Sequence, residues 1–170
     1  MTVAEQTNGG ARVLLIEDNK DVRKLFTIIL ERAGMRVTSL ADGREAMNLL
    51  DEGDLPEVVV MDRMLPGLPG DLILNRMRAH ARWADIPIVI VSALRRRFDI
   101  SELLRAGANA YLQKPVDTRE LVATVKTAID GGASRRQMAT ESLESAIPRA
   151  PAREAVSAVG QSRSADLIDP

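Results

Sequence analysis

Cysteine is absent from the 170 residues, so neither a disulfide nor a thiolate metal centre can form. Histidine occurs once, at His80, which excludes histidine-rich zinc sites and leaves any Ser/His/Asp hydrolase dependent on a single imidazole. No apolar run approaches membrane-spanning length, and Met1 to Gly10 is polar without a basic stretch leading into an apolar one. That stretch reads as a loose leader and not a secretory signal. An excess of charge of one sign is also missing: the formal net charge is -1, which implies neither a nucleic-acid nor a membrane-surface partner. What remains is the profile of a cytoplasmic globular protein with one core, since about 45% of residues are hydrophobic and the length does not suffice for two domains of typical size.

Short runs rich in Val and Ile alternate with amphipathic stretches of helical length, the signal of repeated βαβ units on a parallel sheet. The runs are Val13 to Ile16, Arg36 to Leu40, Val58 to Met61, Ile88 to Val91 and Ala110 to Leu112. Between Asp21 and Ala33, residues Val22, Leu25, Phe26, Ile29 and Leu30 share one helical face, with Gly34 as the stop. Further helices are predicted at Arg44 to Leu50, Asp71 to Ala79, Asp99 to Ala106 with Gly107 as the stop, and Thr118 to Ile129 stopped by Gly131. The expected fold is α/β, a doubly wound (βα)5 three-layer sandwich around a parallel five-stranded sheet. Residues 11–131 form this domain. Residues 132–170, rich in Ala, Ser, Arg, Pro and Glu, read as a low-complexity tail, disordered or else a docking segment, with at most a short helix near Met138, Leu143 and Ile147. No helix-turn-helix pattern fits that tail, so a DNA-binding output is not expected within it.

In such a sheet the residues that follow the buried runs share one rim. Glu17 and Asp18 follow the first, Asp62 the third, Ser92 the fourth, and Lys114, just past Tyr111, the fifth. Two carboxylates ~4 Å apart repel by ~4 kcal/mol at an effective dielectric near ~20, so the trio needs a cation or a raised pKa. Its hard oxygen donors, without His or Cys, favour Mg²⁺ or Mn²⁺ over Zn²⁺. Taken singly, Asp18 and Asp62 could be helix caps, Ser92 a solvated hydroxyl, Lys114 a surface charge and Tyr111 a half-buried strand aromatic. Their joint placement favours a site. Trp83 reads as edge packing before the fourth strand, and Arg95, Arg96 and Arg97 as a basic run at the mouth of the site that could attract an anionic partner. Arg63, next to Asp62, has no evident role.

The segments VLLIED, VVVMDRMLPGLPG, IPIVIVSAL and AGANAYLQKP, in that order and spacing, resemble the response-regulator receiver family over roughly Ala11 to Gly131. The resemblance implies a flavodoxin-like sheet of order 2-1-3-4-5 and a stand-alone receiver of two-component or phosphorelay signalling. It further implies that Asp62 is the phosphoacceptor for a histidine kinase or a histidine phosphotransfer protein. Glu17, Asp18, Asp62 and the backbone carbonyl of Met64 would hold the metal, and Lys114 would pair with a phosphoryl oxygen. Ser92 would bind the phosphoryl group, and its inward shift would let Tyr111 rotate toward the core. Output would pass to a downstream protein of unknown identity, with phosphorylation-dependent dimerisation left open. The competing reading is a metal-dependent phosphohydrolase with an aspartyl nucleophile. Position 64 is Met, where that chemistry would place a second aspartate.

Overall fold

The computed structural model describes residues 9–51, 54–93 and 97–146, the side chains of residues 97–98 and 135–146 excepted. Five strands alternate with five helices: β1 (Arg12–Ile16), α1 (Lys20–Arg32), β2 (Arg36–Leu40), α2 (Gly43–Asn48), β3 (Val58–Asp62), α3 (Gly70–Ala79), β4 (Ile88–Ser92), α4 (Arg97–Arg105), β5 (Ala110–Gln113) and α5 (Thr118–Ala146). All strand pairs are parallel, in the order β2-β1-β3-β4-β5. Every residue of β3 and β4 is buried, as the uninterrupted VVVMD and IVIVS runs require of strands covered on both faces.

Side chains alternate between two cores along these strands. Leu14, Ile16, Val59, Met61, Ile88 and Ile90 meet Ala46 of α2, Ile73 and Met77 of α3 and Leu103 of α4. Val13, Leu15, Val58, Val60, Val89 and Val91 meet Phe26 and Leu30 of α1 and Leu121 and Val125 of α5. Each fully buried Leu, Ile or Phe contributes ~1.5–3 kcal/mol, so the layering is strongly fixed. Because β1 lies between β2 and β3, the chain reverses its direction of travel across the sheet there. The crevice beyond the carboxyl ends of β1 and β3 is therefore the place where a ligand fits.

The expected stops at Gly34 and Gly107 hold, with φ of 87° and 110°. Gly131 does not end α5, which runs to Ala146 and so passes well into the stretch read as a tail. Each glycine costs a helix only ~1 kcal/mol. Gly132 lies against Pro87, where a Cβ would come within 2.9 Å of the ring, and the next proline is Pro148. The remainder of that tail and the Met1 to Asn8 part of the leader lie outside the described residues. Trp83 also departs from expectation. It is 1% exposed within the α2–α3–α4 core, and its indole donates to the Leu50 carbonyl at 3.1 Å.

Candidate functional site

β1 and β3 deliver carboxylates to the rim at the reversal point. Glu17 is 1% exposed and Asp62 8%, while Asp18 faces solvent. A carboxylate oxygen from each of the three lies within 4.8 Å of the others. The loop after β1 is shaped by Asn19, which caps α1 by accepting from the amides of Asp21 at 3.0 Å and Val22 at 3.1 Å. Arg23, one turn on, donates to the carbonyls of Glu17 at 2.7 Å and Asp18 at 3.1 Å, so the acidic pair is held from inside its own helix.

Lys114 reaches this cluster from beyond β5, its Nζ 2.7 Å from Glu17 Oε2 and 2.5 Å from Asp62 Oδ2. Burial works to lower the pKa of the ammonium, but its bonds to Asp62 and Glu17 more than offset this and hold it above the ordinary value. Burial pushes Glu17 up, with Asp62 adding to the rise and Lys114 opposing it. One ammonium facing three carboxylates leaves the cluster short of positive charge. All-oxygen donors with that deficit suit a hard divalent cation, so the residues fit a metal.

The second oxygen of Asp62 accepts from the Met64 amide at 2.8 Å. Met64 itself is 64% exposed. Ser92 ends β4, the strand that pairs with β3. It is fully buried, and its hydroxyl is the one buried side-chain polar atom among the described residues without a hydrogen-bond partner. Tyr111 packs against the α2–α3–α4 core, and its hydroxyl donates to the Ser92 carbonyl at 3.0 Å. Burial, then the charge of Asp62, raises its pKa. Of the basic run, Arg95 and Arg96 lie outside the described residues and Arg97 opens α4. His80 is remote, at the opposite end of α3, where it pairs with Asp51 at 3.4 Å. Two features escaped the sequence reading: the fork from Arg63 to Asp71 and the clamp of Arg23 on the acidic loop. Neither has a periodic signal, because each is set by how a loop folds back.

The model for the response regulator receiver domain matches residues 13–126. The chain belongs to that family. A receiver domain of two-component response regulators is thus present, and receiver domains bind a divalent metal at an acidic cluster and interact with histidine kinases or phosphotransfer proteins. An uncharacterized 14.6 kDa protein of Leptolyngbya boryana is 35% identical over 121 residues, covering 71% of this chain and 92% of that one. The DNA-binding dual master transcriptional regulator RpaA of Synechocystis is 35% identical over 115 residues, covering 68% of this chain and 47% of its own. The chain thus spans about half the length of RpaA. Among solved structures, the receiver domain of sensor histidine kinase PA1611 from Pseudomonas aeruginosa, with a magnesium ion coordinated in its active site cleft, superposes with a TM-score of 0.66 at 31% identity, covering 72% of this chain and 99% of that one. No helix among the described residues is long and apolar enough to cross a membrane.

Proposed function

We propose that residues 11–131 act as a receiver that takes a phosphoryl group onto Asp62 from a histidine kinase or histidine phosphotransfer protein in the cytoplasm. In this reading the chain then serves as an interaction switch for a downstream protein. The observation that carries it is the convergence on one carboxylate. Asp62 is nearly buried and is held by the Met64 amide on one oxygen and the Lys114 ammonium on the other, and the neighbouring strand β4 ends in Ser92, whose buried hydroxyl has no hydrogen-bond partner among the described residues.

Glu17, Asp18, Asp62 and the backbone carbonyl of Met64 would hold Mg²⁺, or Mn²⁺, whose charge would offset that on the phosphoryl oxygens. The Met64 amide orients Asp62 so that one oxygen faces the incoming phosphorus. That oxygen forms the new P–O bond as the P–N bond of the phosphohistidine breaks and the imidazole leaves with the electron pair. Lys114 can exchange its contact with Asp62 for one to a phosphoryl oxygen while keeping Glu17. Ser92 donates its unused hydroxyl proton to another. Any inward movement of Ser92 is felt by Tyr111 through the carbonyl that its hydroxyl holds. The chain so acts on itself, assisting its own phosphorylation and dephosphorylation, and does not turn over a separate substrate.

Intact mass after incubation with Mg²⁺ and acetyl phosphate tests the reading. One added phosphoryl group is expected on the wild-type chain and none on Asp62→Ala or without metal. An adduct that survives Asp62→Ala would refute the assignment.

A further inference from the structure

β1 and β2 each begin with an arginine, and Arg12 stands directly opposite Arg36 in the parallel register. Side chains alternate along a strand, so both arginines share the face of Leu14 and Thr38, which is the α2 face of the sheet. Neighbouring strands run only ~4.8 Å apart, and like charges at directly opposed positions work against the pairing. α2 does not cover the pair. Its six residues rise ~9 Å whereas a five-residue strand runs ~16 Å, so the starts of β1 and β2 stay open on that face and both arginines are exposed.

The result is a groove of about 430 Å³ bordered by Arg12 and Arg36, with Leu49, Pro56 and Trp83 as an apolar wall. Each guanidinium is anchored through Nε. Arg12 Nε donates to the Leu55 carbonyl at 3.0 Å, and Arg36 Nε to the Gly10 carbonyl at 3.0 Å. Gly9 packs against the head of Arg36, where a Cβ would come within 3.3 Å of Cζ and Nη2. Among the described residues the Nη groups of both arginines bond nothing, and neither arginine forms an ion pair. Glu57 accepts from the backbone amide of Arg12 at 2.8 Å and not from its side chain, and Asp54 borders the groove without pairing.

Two anchored forks with idle donors, side by side at an apolar wall, match a ligand that concentrates negative charge on one group and carries an apolar body. A carboxylate fills one fork. A phosphate monoester, with three acceptor oxygens and a charge near about −2, engages both. We propose that this groove binds an organic phosphate, the phosphate held between Arg12 and Arg36 and the apolar body laid against Leu49, Pro56 and Trp83. The site lies at the opposite end of β1 from Glu17 and requires neither Asp62 nor a metal.

The test titrates the full chain with phenyl phosphate in EDTA, where the acidic rim holds no cation to attract a phosphate. Binding is read from the emission of Trp83, the sole tryptophan, and from broadening of the ring-proton NMR signals of the ligand. Saturable binding is expected, with a half-saturating concentration raised ~10-fold or more in Arg12→Gln and in Arg36→Gln. Inorganic phosphate should compete, and benzyl alcohol, which lacks the phosphate, should not. Arg32→Gln, which removes a cation from α1 outside the groove, and Asp62→Ala should both bind like wild type. No saturable broadening would overturn the proposal. An equal loss in Arg32→Gln would do the same by reducing the effect to net charge, and a loss in Asp62→Ala by moving the ligand to the rim. Should a glutamine variant fail to fold, as judged by its urea transition, Arg36→Lys decides. It keeps the charge without the fork, so wild-type affinity there would also overturn the proposal.

Discussion

Replacing Lys114 with Met keeps the stem and removes the cation between Glu17 and Asp62. Unit charges at the 4.8 Å limit of the cluster repel by ~3.5 kcal/mol at an effective dielectric of ~20. Glu17, at 1% exposure, is poorly placed for water to screen it. Leaving a buried charge unpaired costs ~3–5 kcal/mol, so a loss of ~3 kcal/mol is expected at pH 7 in EDTA, lowering the urea midpoint by ~1.5–2 M for a domain of this size. Mg²⁺ at ~100 times its Kd adds back ~2.7 kcal/mol, and the variant, having no ammonium to compete with the ion, should gain more from it than the wild type. The pH dependence has a definite sign. Glu17 is already raised by burial, and losing Lys114 raises it further. The native state then binds a proton more readily than the unfolded chain, so the penalty is full above the folded pKa and fades as pH falls through it. The deficit should therefore shrink as the pH falls from 7 toward the ordinary carboxyl value of 4.5. It should also shrink above pH 10.5, because the raised Lys114 contributes fully below that ordinary value and its contribution is lost as pH rises through the folded one. Equal midpoints of wild type and Lys114→Met in EDTA at pH 7, or a deficit that Mg²⁺ leaves unchanged, would refute the reasoning.

Ser92→Ala removes a buried hydroxyl that has no partner among the described residues, so the stability read from urea unfolding should hold or rise by up to ~1 kcal/mol while beryllofluoride binding weakens. A clear drop in stability would instead give the hydroxyl a role in folding. Gly70→Ala forces a Cβ to 2.8 Å from two backbone atoms of Asp62 and Arg63 and should cost ~1–3 kcal/mol and slow phosphorylation by acetyl phosphate. Wild-type rate and midpoint together would show that the loop can yield there. Met64, exposed and apolar two residues past Asp62, cannot position a water on the phosphoryl group, and Leu94, outside the described residues, is its apolar counterpart two past Ser92. Phosphorylated wild type should outlast the Met64→Asn/Leu94→Glu variant, as followed by loss of the added mass.

The sheet was legible because burial on both faces leaves an uninterrupted apolar run, as in Val58 to Met61, and because parallel strands bring all their carboxyl ends to one rim. Glu17, Asp18, Asp62, Ser92 and Lys114 could be collected from sequence for that reason alone. The end of α5 was not legible, since Gly131-Gly132 carries a stop signal that the contact of Gly132 with Pro87 overrides. Nor was the burial of Trp83, which depends on α2 ending at Asn48 and offering the Leu50 carbonyl to its indole. Arg63 and Asp71 stand eight residues apart across a turn, a separation that matches no helical or strand period, so only the folded loop pairs them.

The described residues satisfy their other buried polar groups thoroughly. Arg78 donates to the carbonyls of Ala84, Ile86 and Gly107 and to Asn109 Oδ1, and that same Asn109 oxygen accepts the Ile88 amide. A chain able to do this at the far end of α3 had no difficulty of composition in doing it at the rim. Yet the rim holds the orphan Ser92 hydroxyl, the Glu17 carboxyl raised by burial and three carboxylates facing one ammonium. Each is a cost that folding alone would remove, and mutually independent costs gathered at the reversal point of the sheet are what a site kept for a ligand leaves behind. The missing partners are a donor's target for Ser92 and positive charge for the carboxylates, and a phosphoryl group arriving with a divalent cation supplies both at once.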